Sequence, residues 1–83
     1  MYKILVRGKA AKQIQQLSPS QFRRVQESIN SLAENPRPPG IKKLRGGVGY
    51  RVRVGDYRIL FEIDDPTQTV IIYRVKHRRE VYR

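Results

Sequence analysis

Cysteine is absent from this chain and histidine occurs once, so thiol chemistry is ruled out and an all-protein zinc site is close to excluded. What the sequence offers in quantity is guanidinium. Twelve of its 18 cationic residues are arginine, they face only 7 acidic residues, and the formal net charge is +11 over 83 residues. Arginine stays protonated and binds phosphate oxygens in pairs through its planar fork. Arg51 and Arg53 alternate along one segment, and Arg58 follows beyond Gly55-Asp56. The closing stretch Lys76-His77-Arg78-Arg79-Glu80-Val81-Tyr82-Arg83 adds three arginines, the histidine and a tyrosine. Cations gathered on an anion, with His77 or Tyr82 beside them as proton carrier, are the parts of a phosphoryl chemistry that needs no metal and no cofactor. The same charges could also form a solvated basic face or a surface for an acidic protein.

These residues need elements to position them. Tyr2 to Arg7 is short, β-branched and bounded by Gly8, which predicts a first strand. Ala10, Ile14 and Leu17 recur at helical spacing and stop before Ser18-Pro19. Ser18 is a natural N-cap, Pro19 suits the first helical position, and Gln21 supplies the return arm of a capping box, so a second helix starts there. Its expected apolar face is Phe22, Val25, Ile29, Leu32 and Ala33, and it ends near Asn35-Pro36. Pro36 to Gly49 is rich in proline, glycine and basic residues and reads as a loop holding Lys42, Lys43 and Arg45. It lacks the G-x-x-x-x-G-K-[ST] pattern of a phosphate-binding loop. Three strands follow, Val48–Val54, Tyr57–Ile63 and Thr69–Val75, and then a basic tail from Lys76. The expected class is α+β: one domain over residues 1–83, in which a strand, a helical hairpin and a three-stranded antiparallel meander form one sheet in the order β-α-α-β-β-β.

The connection Gly55-Asp56 is a two-residue Gly-X turn, and a type II′ hairpin fixes which residues face each other. Val54 then opposes Tyr57, Arg53 opposes Arg58, and Val52 opposes Ile59. Opposed residues share a face, so Val52, Val54, Ile59 and Phe61 meet the helices while Arg51, Arg53 and Arg58 share the other side. Like charges directly opposed cost a sheet up to about 1 kcal/mol unless an anion lies between them. The long loop before the last strand leaves the face of Arg74 open. Tyr57 and Phe61 fall on the core side, so the sheet lacks the row of exposed aromatics expected of a base-stacking RNA-binding module. The longest apolar runs, Ile4 to Val6 and Val70 to Tyr73, fall far short of the ~20 residues a membrane span requires, and the protein is expected to be soluble and cytoplasmic with no membrane partner.

The order of elements, together with Lys43-Leu44-Arg45-Gly46, Tyr50-Arg51-Val52-Arg53, Asp56-Tyr57-Arg58-Ile59-Leu60-Phe61 and His77-Arg78-Arg79-Glu80-Val81-Tyr82, resembles the RelE family of bacterial toxins within the RelE/ParE superfamily. The resemblance spans nearly the whole chain. It implies the toxin of a type II toxin–antitoxin pair, held by a mostly helical acidic antitoxin and reaching operator DNA only through that complex. RelE-like members enter the ribosomal A site and cut messenger RNA there. The family's two basic strand positions match Arg51 and Arg53, its arginine after the turn matches Arg58, its further catalytic arginine falls at Arg78 or Arg79, and its C-terminal tyrosine matches Tyr82. Lys42, Lys43, Arg45, Arg74 and Lys76 are the expected RNA contacts. Familiar members carry lysine at the two strand positions, whereas arginine, which stays protonated in proteins, cannot serve there as a base. Tyr82 or His77 would then carry the proton. A ParE-like poison of DNA gyrase and a degenerate toxin that keeps only antitoxin binding are the alternatives.

Overall fold

A computed structural model describes residues 1–81, without the side chains of Glu80 and Val81. Its elements run β1 (Lys3–Val6), α1 (Gly8–Gln15), α2 (Pro19–Glu34), β2 (Lys42–Lys43), β3 (Tyr50–Val54), β4 (Tyr57–Asp64), β5 (Thr69–His77) and α3 (Arg78–Val81). The strands make one five-stranded sheet in the order β1-β5-β4-β3-β2, with β1 parallel to β5 and the other pairs antiparallel. The α+β class and the strand, helical hairpin and meander stand as expected. Two additions correct the sequence reading. Lys42 and Lys43 lie in a short edge strand rather than a loop, and the supposed tail begins inside β5 and turns into α3.

The helices cover one face of the sheet. Ala10 and Ile14 of α1 and Val25, Ile29 and Leu32 of α2 are buried against Ile59, Phe61, Val70, Ile72 and Val75. Ser18 Oγ accepts from the Gln21 N–H at 3.4 Å and Pro19 opens α2. The capping box is only half made, because the Gln21 Oε1 is buried with no hydrogen-bond partner. Phe22 is a third correction: it is 43% exposed, one turn before the first buried position of α2. A helical stripe predicts which residues share a side, but the sheet reaches only as far as its neighbouring strands allow.

Two backbone features set the faces of the meander. Gly55 has φ +59 while Asp56 stays out of the positive-φ region, as a type II′ turn requires, and the observed β3–β4 pairing is the one read from that turn. Between β4 and β5 the register shifts: Leu60 pairs with Arg74, but Phe61 pairs with Ile72, leaving Tyr73 as a bulge. Strict alternation would put Ile72 and Val75 on opposite faces. The extra residue lets both reach the core, and it turns Arg74 and Lys76 to the side away from the helices. Gly49, at φ +87, starts β3 against β4; a Cβ there would run into the Phe61 carbonyl.

Candidate functional site

On the face without helices, the register lays out two rows of cations. Lys42 pairs with Arg51, Arg51 with Leu60 and Leu60 with Arg74, which carries one row across four strands. Next to it, Arg53 pairs with Arg58 and Arg58 with Lys76. Directly paired side chains sit about 5 Å apart at Cβ. Arg51, Arg53 and Arg58 therefore share a side, as the hairpin implied, and the bulge adds Arg74 and Lys76 to it. Lys43 and Arg45 are exposed at the β2 edge, with Lys43 paired to Tyr50 and so on the alternate side of the strand.

At the tip of the hairpin this surface deepens into a cavity of about 200 Å³ lined by Arg53, Gly55, Asp56, Tyr57, Arg58 and Arg78. Three elements build it. β3 brings Arg53, β4 brings Tyr57 and Arg58, and the turn out of β5 brings Arg78. That turn is fastened to the hairpin, because the Arg78 N–H donates to the Asp56 carbonyl at 2.7 Å. An Arg78 guanidinium nitrogen also lies 3.7 Å from an Asp56 carboxylate oxygen, with both side chains more than half exposed, so this contact is loose and solvated. Arg58 is only 8% exposed, so its side chain is held in place rather than splayed into water, while Arg53 is open to solvent. Among the described residues, the lining holds three guanidiniums and one carboxylate, a net positive charge suited to a phosphodiester.

The structure separates residues that the sequence had grouped. Arg78 lines the arginine cavity, whereas Arg79 lies with Asp56, His77 and Arg78 around an adjoining hollow. His77 pairs with Tyr57 on the helix side of the sheet. Its ring stands edge-on to that of Tyr57, with centroids 5.1 Å apart and planes at 86°. It does not line the arginine cavity. Tyr82 lies outside the described residues.

Three residues were missed. Asp56 read only as a turn residue, yet its carbonyl and carboxylate both meet Arg78. Arg24 of α2 reaches the hairpin tip from the helix side, where a Cβ on Gly55 would stand 3.0 Å from its guanidinium; no local pattern signals this, since it depends on how α2 crosses the sheet. Tyr73, the bulged residue, donates its hydroxyl to the Val48 carbonyl at 2.6 Å and so spans from β5 to the approach to β3. Burial, and next the charge of Glu62, raises the Tyr73 phenol above its ordinary pKa. It therefore acts as a neutral strut.

The comparisons agree with this architecture. Residues 4–82 match the family model described as the ParE toxin of the type II toxin–antitoxin system parDE. Toxin RelG of Mycobacterium tuberculosis is 38% identical over 60 residues, covering 71% of this chain and 69% of RelG. The archaeal RelE–RelB complex from Pyrococcus horikoshii OT3 contains a chain that superposes with a TM-score of 0.82 at 28% identity, covering 93% of this chain and 94% of that one. The RelBE2 toxin–antitoxin complex from M. tuberculosis gives a TM-score of 0.81 at 32% identity, covering 92% and 96%. With the family model matching almost end to end and the strand order, bulge and hairpin already accounting for the cationic face, this chain belongs to the ParE toxin family of type II toxin–antitoxin systems, within the RelE/ParE superfamily.

Proposed function

We propose that this toxin is a metal-independent endoribonuclease that cuts messenger RNA on the ribosome and so stops translation. The observation that carries the proposal is the convergence of Arg53, Arg58 and Arg78 on one cavity. In the reaction, the ribose 2′-oxygen loses its proton and attacks the adjacent phosphorus. The bond from phosphorus to the 5′-oxygen breaks, and that oxygen takes up a proton, leaving a 2′,3′-cyclic phosphate and a 5′-hydroxyl. Charge builds on the nonbridging oxygens, where fixed guanidiniums lower the barrier without reorganising. Arg53, Arg58 and Arg78 hold that phosphate. Arg51, with Lys42, Arg74 and Lys76, tracks the neighbouring backbone, and Lys43 and Arg45 extend the basic edge. Arginine cannot be the base and His77 does not line the cavity, so of the two carriers open from the sequence, Tyr82, which matches the family's C-terminal tyrosine, is the one this reading favours.

Solved relatives are complexes with RelB antitoxins. By the same reading, a cognate acidic antitoxin covers this surface, favoured by the +11 charge. On that reading the ribosome presents the message and supplies alignment that an open cavity does not impose alone.

The test is cleavage of message on programmed ribosomes, with naked message and a message carrying a single 2′-deoxy substitution at the scissile ribose alongside. Cutting on the ribosome only, with a cyclic phosphate end, supports the reading; cutting of the 2′-deoxy message counts against it. A second reading, gyrase poisoning, is favoured by the parDE description of the matched family model. A DNA supercoiling assay separates the two.

A further inference from the structure

His77 belongs to neither row of cations, yet it stands where the sheet hands over to α3. A helix opens with backbone N–H groups that have no partner within the helix. Here the first two amides after β5 are both taken up. The Arg78 N–H goes to the Asp56 carbonyl at 2.7 Å, and the Arg79 N–H donates to His77 Nδ1 at 3.2 Å. The imidazole is itself steadied by the edge-on contact with Tyr57. Accepting at Nδ1 commits that nitrogen's lone pair to the Arg79 amide, and the ring does not line the arginine cavity.

We propose that His77 is a positioning residue: by accepting the Arg79 amide, it fixes the turn that delivers Arg78 to the cavity between Arg53 and Arg58. This rests on reading that cavity as the phosphate site. The hairpin turn holds one amide and the last residue of β5 holds the next. With both held, Arg78 leaves the sheet in a single direction. Without the Nδ1 acceptor, the turn is pinned at one point and Arg78 samples orientations in which its guanidinium misses the phosphate.

The experiment compares wild type, His77→Ala, His77→Phe and His77→Asn in single-turnover cleavage of ribosome-bound message, across the range in which imidazole titrates. His77→Ala should slow cleavage about five- to tenfold, the loss expected from one local hydrogen bond, without changing the shape of the pH profile. His77→Phe keeps a ring against Tyr57 but has no acceptor, and should match His77→Ala. His77→Asn offers an amide oxygen to the same N–H and should recover most of the rate. Amide hydrogen exchange at Arg79 is the second readout, with protection expected in wild type and His77→Asn and lost in the other two. A wild-type rate in His77→Ala would overturn the proposal. So would a His77→Asn variant as slow as His77→Ala with one limb of the pH profile gone, since that is the behaviour of a proton carrier. If wild type cleaves nothing, the reading of the cavity fails, and the exchange data still judge His77: equal protection at Arg79 in every variant would reject its role.

Discussion

Arginine is used in opposite ways at the two ends of the sheet. At the end away from the hairpin tip, Arg37 donates both guanidinium nitrogens to Asp65, at 2.9 and 3.2 Å, and lies 5.8 Å over the Tyr50 ring. The Tyr2 hydroxyl donates to the same carboxylate at 2.6 Å. Hydrogen bonds from Arg37 and then Tyr2 hold the Asp65 carboxyl below its ordinary range, and the bond to Asp65 lifts the Tyr2 phenol. Here a cation is spent on fastening the segment after α2 to the β4–β5 turn. At the hairpin tip, Arg53, Arg58 and Arg78 line a cavity whose one carboxylate, Asp56, makes only a loose contact. The same side chain is a clasp where its fork is matched by a carboxylate, and a candidate anion contact where, among the described residues, three guanidiniums line a cavity with one loosely held carboxylate.

That contrast can be broken by substitution. Arg58→Ala should have the largest effect, lowering cleavage on programmed ribosomes at least ~100-fold, the scale seen when a preorganised contact to transition-state charge is lost. Because Arg58 is buried, its melting midpoint is measured in parallel, and Arg58→Lys, which keeps the charge but loses the fork, should remain well below wild type. Arg78→Ala should cost roughly tenfold, since its exposed side chain holds the phosphate less rigidly. Arg53→Gln should weaken binding of a non-cleavable 2′-deoxy oligonucleotide and flatten the dependence of log affinity on log salt by about 0.7, the share of one phosphate contact to a single strand.

The clasp should respond in the reverse sense. Asp65→Asn should leave cleavage at the wild-type level and lower the melting midpoint modestly, because the pair is about half exposed. Its pH dependence has a definite sign. A lowered Asp65 pKa contributes stability that is present above the ordinary carboxylate range and lost as pH falls through the folded value. The raised Tyr2 pKa contributes stability that is present below the ordinary phenol range and lost as pH rises through its folded value. Melting curves of wild type and Asp65→Asn should therefore differ most near neutrality and converge in acid. Equal sensitivity of cleavage to both ends of the sheet would erase the distinction.

Much of the site was legible because a tight turn is a local device. Gly55-Asp56 fixes the register of β3 on β4 within a few residues, and register alone puts Arg51, Arg53 and Arg58 on one side. The same reasoning stalled at Arg74, since the β4–β5 connection does not fix its pairing and the Tyr73 bulge decides the face. The Lys42-Lys43 strand was hidden among glycines and prolines because two residues have no periodicity to detect. Phe22 sat on the right stripe of a helix that outruns its sheet.

By itself, the sequence determined the charge, the kinds of elements and their order, and the shared face of three arginines, all of which follow from composition and from contacts between near neighbours in the chain. The tertiary structure alone decided that Arg78 rather than Arg79 joins that cavity, that His77 faces the helices, and that Arg37 is neutralised by a carboxylate 28 residues away. These outcomes depend on how distant segments meet after a bulge and a turn out of the sheet, and such meetings are set by packing of the whole core.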